Sequence, residues 1–182
     1  SHQIASNMAA VLYMMPLSIS IAASARVSFW LGAGDARKAR QAIRTGFQLT
    51  LAMAITLSLA VALAHQQIAR LYAGDKPAIV AMAGGLLVWV AAYHLADAVQ
   101  ALCVFILRCY RIATATLVVY CVLLWGVGLA GGYWLAYQGL AGIPPMGSPV
   151  AFWAAGGAAL ALTALIFTGL LWRVARRARP AA

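Results

Sequence analysis

The sequence contains few charged side chains and very few acidic ones. Its 182 residues include only three Asp or Glu against thirteen Lys or Arg, and 9% of the chain is charged while 65% is hydrophobic. Because soluble domains carry about 25% charged residues, this composition excludes a water-soluble fold. The long apolar runs also exclude a membrane β-barrel, whose short strands alternate polar and apolar residues. The sequence therefore predicts an all-α polytopic membrane protein whose surroundings are the lipid bilayer.

Cysteine is scarce as well. Cys103, Cys109 and Cys121 lie in or at the edge of apolar segments, and their spacing matches no zinc-binding motif. We therefore expect neither a disulfide nor a zinc site, and we interpret all three as small buried side chains. The net charge of +10 does not indicate a nucleic-acid partner, because the cations cluster at the ends of the apolar runs, where they set orientation in a membrane.

Runs without charge define the expected membrane spans. The last run, Ile112–Trp172, has 61 residues without Asp, Glu, Lys or Arg, which is too long for a single span of about 20 residues. The Pro-Pro and Gly-Ser-Pro sequences within Gln138–Pro149 divide it, because proline and glycine end helices. The sequence thus predicts a single transmembrane domain over residues 1–182, with five helices at about 4–31, 37–70, 77–108, 112–137 and 150–176.

Lysine and arginine lie mostly at one end of the predicted bundle. With alternating helices, one side holds Arg26, Arg37, Lys38, Arg40, Arg44, Arg108, Arg111, Arg173, Arg176, Arg177 and Arg179, and the other holds Arg70 and Lys76. The positive-inside rule then places the N-terminus outside and the C-terminus in the cytoplasm. Because the sequence lacks an initiator Met and has an odd number of spans, we expect a fragment of a larger protein.

Two short motifs indicate how helices end and pack. Gly32 and Gly34 are expected to end the first helix, and Asp35 is expected to cap the second. In the fourth helix, Gly128 and Gly132 form a GxxxG spacing, which lets a neighbouring backbone approach closely. We expect this surface to pack inside the bundle and not to form a dimer.

One acid lies deep in a predicted span. Asp35 and Asp75 stand in polar segments beside Lys or Arg, whereas Asp97 lies within the apolar run Gly84–Leu107. A carboxylate at that depth costs about 2.5–3.5 kcal/mol even on lenient insertion scales. Helices normally retain such a residue only when it faces protein or a water-filled path and performs a function. Asp97 is therefore the first candidate for a functional site.

Polar and aromatic side chains share the helix face of Asp97. Trp89, Tyr93, Asp97 and Gln100 follow one another at spacings of four, four and three, and His94 lies about 60° to the side. Tyr93 and Gln100 offer oxygen atoms, and Asp97 supplies a compensating negative charge. We predict a cation- or proton-coupling site formed by Asp97 and Tyr93, with Gln100 and His94 as cavity-lining candidates. Asp97 would be a metal ligand if Na⁺ is the ion, and no cofactor beyond Na⁺ or H⁺ is expected.

A structural role for Asp97 is the alternative. A salt bridge to a neighbouring helix would neutralise the carboxylate. Arg26 lies near a helix end, however, and Arg108 is eleven residues away on the same helix, which corresponds to about 16 Å. Neither residue is a convincing partner.

The first helix carries a second polar stripe. Gln3, Asn7, Met14, Ser18 and Ala25 fall on one side at about 100° per residue. These side chains either line a cavity or pack against another helix through hydrogen bonds from Ser and Asn. For Asn7 we favour the cavity.

Several stretches resemble MATE (multidrug and toxic compound extrusion) transporters. The start of this sequence is similar to the start of the last five helices of that family's C-terminal lobe. The similarity lies in four successive motifs, which are HQIASN, Pro-x-Ser, Arg-Val, and LGAGD followed by a basic run. YHLADAVQALCVFILR resembles the family's tenth helix, whose acid belongs to a monovalent-cation and proton site. The resemblance implies that Tyr93 and Asp97 belong to that site. FWAAGGAALALTALIFTGLLWR is similar to the family's last helix.

The resemblance implies a partial C-terminal lobe of a 12-helix MATE-type transporter. The N-terminal lobe, which would be a partner of this chain, and the seventh helix, which supplies a second acid to the cation site, are expected to be missing. The chain departs from the family after Arg108, where CYRIATA stands in place of the usual elbow with Gly and Asp.

The resemblance also implies the function. We expect the C-terminal part of a secondary active multidrug efflux transporter, not an enzyme, that exchanges amphipathic organic cations for Na⁺ or H⁺ across the bacterial inner membrane. One alternative is a lipid-linked precursor flippase of the same superfamily, but no Lys or Arg lies clearly at mid-membrane to meet a pyrophosphate. An intramembrane aspartyl protease needs two carboxylates in one site. A non-functional truncated remnant is the remaining alternative.

Overall fold

Each apolar run of the sequence forms a helix, because a backbone inside lipid must satisfy its hydrogen bonds internally. The computed structural model describes residues 2–73, 76–139, 142 and 144–177, so Asp75 and Arg179, which entered the sequence analysis, lie outside the described residues. The helices are α1 (His2–Gly32), α2 (Ala36–Ala73), α3 (Pro77–Cys109), α4 (Thr114–Gln138) and α5 (Val150–Arg177). All five are long and apolar enough to cross a membrane, which confirms the predicted fold class.

The central helix of the bundle is α3. It packs against α1, α2 and α5, while α4 packs mainly on α5. Two apolar clusters lie along α3, one around Leu86 and Leu87 and the other around Leu102 and Ile106. The segment between them, residues 94–100, carries the buried polar side chains of the helix. The bundle therefore encloses a narrow polar band between two apolar layers.

The elbow between α1 and α2 closes as the sequence predicts. Gly34 adopts a positive φ of 73°, which glycine reaches without steric cost. The backbone N–H of Lys38 donates to the Asp35 carboxylate at 2.9 Å, which is the N-cap bond of α2, and Lys38 Nζ lies 3.5 Å from the other carboxylate oxygen. The hydrogen bond from the Lys38 backbone holds the pKa of Asp35 below its usual value, so the cap stays ionised at neutral pH.

The turn that follows α3 contains a residue in the left-handed conformation, and that residue is not glycine. The Ile112 N–H donates to the Leu107 carbonyl at 3.1 Å, and the Arg111 N–H donates to the Arg108 carbonyl at 3.0 Å, which together form a Schellman motif. Arg111 occupies the left-handed position with a φ of 61°. Glycine is the usual residue there, because a Cβ is strained in this conformation. The glycine-free elbow seen in the sequence therefore folds with a strained arginine.

The turns of α4 are wider than those of the other helices. Its middle, Cys121–Ala130, is wound as π-helix. The glycines of the GxxxG spacing face α5: a Cβ on Gly128 would lie 3.5 Å from a side chain of α5, and a Cβ on Gly132 would lie 2.8 Å from the Phe152 ring. The spacing therefore serves a close helix contact within this bundle.

The three cysteines differ in burial. Cys103 is buried in α3 and lies 3.5 Å from the Thr168 hydroxyl of α5, and Cys109 is half-buried. Cys121 is exposed on α4, so the prediction of a buried side chain is wrong there, because α4 meets the bundle through its glycine face. All three are free thiols. The described residues contain no group of three or more His, Cys, Asp or Glu that could hold a metal ion.

Replacing Gly132 by alanine is expected to lower the thermal unfolding midpoint of the protein in detergent. The new Cβ would lie 2.8 Å from the Phe152 ring and 3.3 Å from the Phe152 Cα, so α4 and α5 must separate, at a cost of about 1–3 kcal/mol. Gly126→Ala is the matched control, because nothing lies within 4 Å of a Cβ at that position. Equal midpoints for the two variants would contradict the packing described.

Arg111→Gly is expected to unfold at a higher temperature than Arg111→Ala, by a difference worth about 1 kcal/mol. Both variants remove the guanidinium, but only glycine accepts the positive φ at the end of α3 without strain. The midpoints of the two variants are measured in the same detergent. An equal or higher midpoint for the alanine variant would show that this turn is not left-handed.

Candidate ion-coupling site

Asp97 is buried in the polar band of α3. The residue is 8% exposed, and Gln100, one turn later on the same helix, donates a hydrogen bond from Nε2 to Asp97 Oδ1 at 2.9 Å. A spacing of three residues brings two side chains together on one helix face. The second carboxylate oxygen, Oδ2, has no hydrogen-bond partner among the described residues. Gln100 thus holds one oxygen of the carboxylate, and no described residue holds the other by a hydrogen bond.

Gln100 also connects Asp97 to α4. The hydroxyl of Tyr120 donates to Gln100 Oε1, which leaves the amide nitrogen directed at the carboxylate. The Tyr120 ring packs edge-on against Phe167 of α5, with the ring centroids 5.1 Å apart. A continuous chain of hydrogen bonds therefore runs from α4 through Gln100 to Asp97, and α5 supports its outer end.

Three phenols lie within electrostatic range of the carboxylate, Tyr120 among them. The hydroxyls of Tyr13 on α1, Tyr93 on α3 and Tyr120 on α4 all lie within electrostatic range of Asp97. Tyr93 is half-buried, and its ring packs edge-on against Trp153 of α5 at a centroid distance of 5.6 Å. Helices α1, α3 and α4 thus each place one tyrosine hydroxyl within electrostatic range of the carboxylate.

No cation neutralises Asp97 in the part of the chain that the structure describes. The only ion pair found there joins Lys38 to Asp35 in the elbow. The guanidinium of Arg108 lies over a phenyl ring of α3 at 5.3 Å, and Arg26 forms no ion pair with a described residue. The alternative of a structural salt bridge is therefore not supported within residues 2–73, 76–139 and 144–177.

Trp89 and His94 do not join this cluster. Trp89 is 40% exposed, because two steps of four residues turn a helix by about 80°. His94 is buried, yet its Nε2 has no hydrogen-bond partner among the described residues, and no described hydrogen bond joins it to Asp97. The stripe that includes Trp89 and the cavity-lining role of His94 both stay predictions.

The polar stripe of α1 is exposed. Asn7 accepts a hydrogen bond from Gln3 at 3.0 Å, and the Ser18 hydroxyl donates to the Met14 carbonyl at 2.8 Å. Because both bonds stay within α1, they give no support to packing through interhelical hydrogen bonds. The cavity-lining role of Asn7 stays a prediction. Tyr13, also on α1, lies within electrostatic range of Asp97.

Sequence reasoning missed Tyr13 and Tyr120. Tyrosine in a membrane helix usually lies near an interface, whereas Tyr13 lies midway along the charge-free run Gln3–Ala25, and that unusual position was the available signal. Tyr120 gives no comparable signal, because its approach to Gln100 depends on how α4 packs against α3.

Comparison with known proteins identifies relatives. The sequence profile of the MatE family matches residues 1–134. The chain is 34% identical over 176 residues to the probable multidrug resistance protein NorM of Aromatoleum aromaticum, covering 97% of this chain and 38% of that protein. It is 37% identical over 167 residues to the protein of the same description from Shewanella oneidensis, covering 92% of this chain and 36% of that protein.

A solved structure has the same fold. The crystal structure of the eukaryotic MATE transporter AtDTX14 matches with a TM-score of 0.79 at 21% sequence identity, over 97% of this chain and 39% of that chain. The chain thus spans less than two fifths of the length of these relatives. Five apolar helices and bacterial relatives support a multi-pass inner-membrane protein. Since the MatE profile covers most of the chain, this protein belongs to the MATE family of transporters.

Proposed function

We propose that this chain is the C-terminal part of a secondary active multidrug exporter in which Asp97 binds the coupling ion, Na⁺ or H⁺. Its relatives are described as multidrug resistance proteins, and the transported substrates would be amphipathic organic cations. The observation that carries the proposal is a buried carboxylate, held by Gln100 at 2.9 Å and without a cation among the described residues. The site works by binding and release, so no residue has a catalytic role.

An ionised Asp97 is unfavourable in these surroundings. The polar band lies between two apolar clusters, where an unpaired buried charge carries a penalty of roughly several kcal/mol. A proton or a monovalent cation on Oδ2 removes the net charge. Hard cations prefer oxygen ligands, which Asp97 and the Tyr93 phenol supply. The site is therefore more stable when it is loaded than when it is empty, as a coupling site requires.

Binding of a proton or ion to Asp97 would affect the position of α4 through Gln100. A protonated or ion-bound carboxylate is a weaker acceptor than a free one, so the strength of the Gln100 hydrogen bond changes with occupancy. Tyr120 bonds the same amide, and the preferred position of α4 against α3 changes accordingly. Binding that favours one helix arrangement shifts the population toward it, and a potential of 100 mV contributes about 2.3 kcal/mol per charge moved.

The proposed orientation places the cation-rich end in the cytoplasm and the N-terminus outside. Arg40 of α2 donates to the Ala175 carbonyl of α5 at 3.3 Å, so the elbow after α1 and the end of α5 lie at one end of the bundle. Arg70, in the last turn of α2, and Lys76, just before α3, lie at the opposite end. This distribution of charge supports the orientation.

Asp97→Asn in the full-length transporter is expected to abolish ion-driven drug efflux. Asparagine keeps the size of the side chain but carries no charge that a proton or cation could neutralise. The measurement is uptake of a fluorescent organic cation by inverted membrane vesicles after a Na⁺ or proton gradient is imposed. Coupling energies correspond to effects of about 5–150-fold, so a loss in that range or larger is expected.

The matched control is Asp35→Asn, which makes the same chemical change in the elbow. Asparagine caps a helix as well as aspartate does, so efflux by this variant should equal that of the wild type. Undiminished efflux by a normally expressed Asp97→Asn variant would remove Asp97 from the mechanism. Imposing the Na⁺ and proton gradients separately identifies the coupling ion.

Tyr120→Phe is expected to raise the ion concentration needed for half-maximal efflux by about fivefold, the effect of one hydrogen bond. The change removes the hydroxyl that holds Gln100 and keeps the ring against Phe167. At saturating ion the KM for the drug should not change. Tyr133→Phe, at an exposed position of the same helix, is the control, and equal effects of the two variants would contradict a role for Tyr120.

A further inference from the structure

A groove runs between α1 and α2 at the cation-rich end of the bundle. Its volume is about 520 Å³, within the range of about 300–1,000 Å³ that is usual for small-molecule sites. The part nearer the middle of the bundle is apolar and is lined by Ile19, Ala22 and Leu49, whereas Arg26 and Lys38 line the part nearer the elbow. The groove is therefore amphipathic along its length.

The floor of the groove is closed by a tight contact between α1 and α2. A Cβ on Gly46 would lie 3.1 Å from the Ala23 Cβ and 3.5 Å from a methyl group of Leu102 in α3. The two helices thus touch beneath the groove, with α3 behind them. All residues that line the groove belong to α1 and α2, and none belongs to α3 or to the polar band.

The charge near the elbow is positive. Arg26 is exposed and makes no hydrogen bond or ion pair with a described residue. Lys38 Nζ lies 4.4 Å from the centre of the Trp30 ring and 3.5 Å from the Asp35 carboxylate. The lysine is therefore partly compensated, and the arginine is not.

The neighbouring surface of α2 adds further cations. Gln41 lines the groove and also a second depression of about 310 Å³, whose other lining residues are Arg37, Arg40 and Arg44. Arg40 is engaged with the carbonyl at the end of α5, while Arg37 and Arg44 are exposed. Asp35 is the single acid in the described elbow, so an anion at this end meets a strongly positive surface.

We propose that this groove binds an anionic phospholipid, with an acyl chain along α1 and α2 and the phosphate on Arg26 and Lys38. A guanidinium binds phosphate oxygens in a bidentate manner, and basic pockets between membrane helices bind anionic headgroups. Trp30 stands two residues before α1 ends, at the depth where tryptophan favours the headgroup region. Arg26 lies about 6 Å deeper, so its charge requires an anion or a path to water.

Both parts of the groove contribute to this choice of ligand. A free phosphate would use the cations and leave the apolar wall of Ile19, Ala22 and Leu49 unfilled. An organic cation would be repelled by Arg26. An anionic phospholipid matches both parts, and the membrane supplies it at high local concentration. The proposal is independent of the proposed transport function, because the groove lies apart from Asp97 and lipid binding is measured without transport.

Native mass spectrometry of the full-length protein tests the site. The protein is released from detergent containing equal amounts of dioleoylphosphatidylglycerol and dioleoylphosphatidylcholine, and the wild type should retain the phosphatidylglycerol preferentially. Arg26→Gln should reduce that retention by about fivefold, the effect of one cation at a membrane surface. Lys38→Gln should weaken it in the same direction. Ala22→Phe, which fills the apolar part without changing charge, should reduce retention as well.

The matched control is Arg173→Gln, because Arg173 is an exposed cation at the same end of the bundle but on α5, outside the groove. The Arg173→Gln variant should retain as much phosphatidylglycerol as the wild type. Thermal unfolding midpoints confirm that each variant is folded. If Arg26→Gln and Arg173→Gln lost phosphatidylglycerol retention equally, general surface charge would explain the binding, and the proposal would be overturned. The proposal is also overturned if Ala22→Phe retains phosphatidylglycerol as well as the wild type does. Displacement of the lipid by glycerol 3-phosphate alone, or a wild type that retains both lipids equally, would overturn it too.

Discussion

A carboxylate inside an apolar bundle has to be neutralised, and this constraint organises the structure. Asp97 lies between two apolar clusters of α3, where burial of an unpaired charge is strongly unfavourable. The fold supplies hydrogen bonds in place of a cation, since Gln100 holds one carboxylate oxygen and Tyr120 holds Gln100. These bonds reduce the penalty without cancelling the charge. In the proposed function, the remaining negative charge attracts a proton or a monovalent cation.

In the proposed function α4 responds to the state of this carboxylate, and three properties of the helix support that role. It is the least buried of the five described spans, and its π-helical segment Cys121–Ala130 begins directly after Tyr120. π-Helical turns are rare and occur frequently at functional sites. The central helix α3, by contrast, packs against three other helices. The hydrogen bond through Tyr120 therefore links the helix that carries the acid to the helix with the fewest contacts to lose when it moves.

The sequence was sufficient to predict structural features that depend on residues close together along the chain. Charge-free runs and proline breaks predicted five spans, and Asp35 caps α2 as expected, because its N-cap bond joins residues only three apart. The positions of Tyr13 and Tyr120 near Asp97 depend on contacts between helices that are distant in the sequence, so no local pattern predicts them. The place of Trp89 in the stripe stays a prediction, because a small rotation at each four-residue step becomes large over the two steps that separate it from Asp97.

Asp35 and Asp97 differ in their depth in the bundle, and this difference determines whether a nearby cation compensates the charge of each carboxylate. Asp35 lies in the elbow, 3.5 Å from Lys38 Nζ and at the N-terminus of α2, so its charge is compensated within the fold. Asp97 is separated from Arg108 by eleven residues, or about 16 Å of helix. A carboxylate placed two turns nearer to that end would pair with the arginine and become a fixed structural element. The acid lies mid-helix and the cations lie at helix ends. In the proposed function this separation leaves the carboxylate to an exchangeable ion, and in the proposed lipid site it leaves Arg26 to an anionic headgroup.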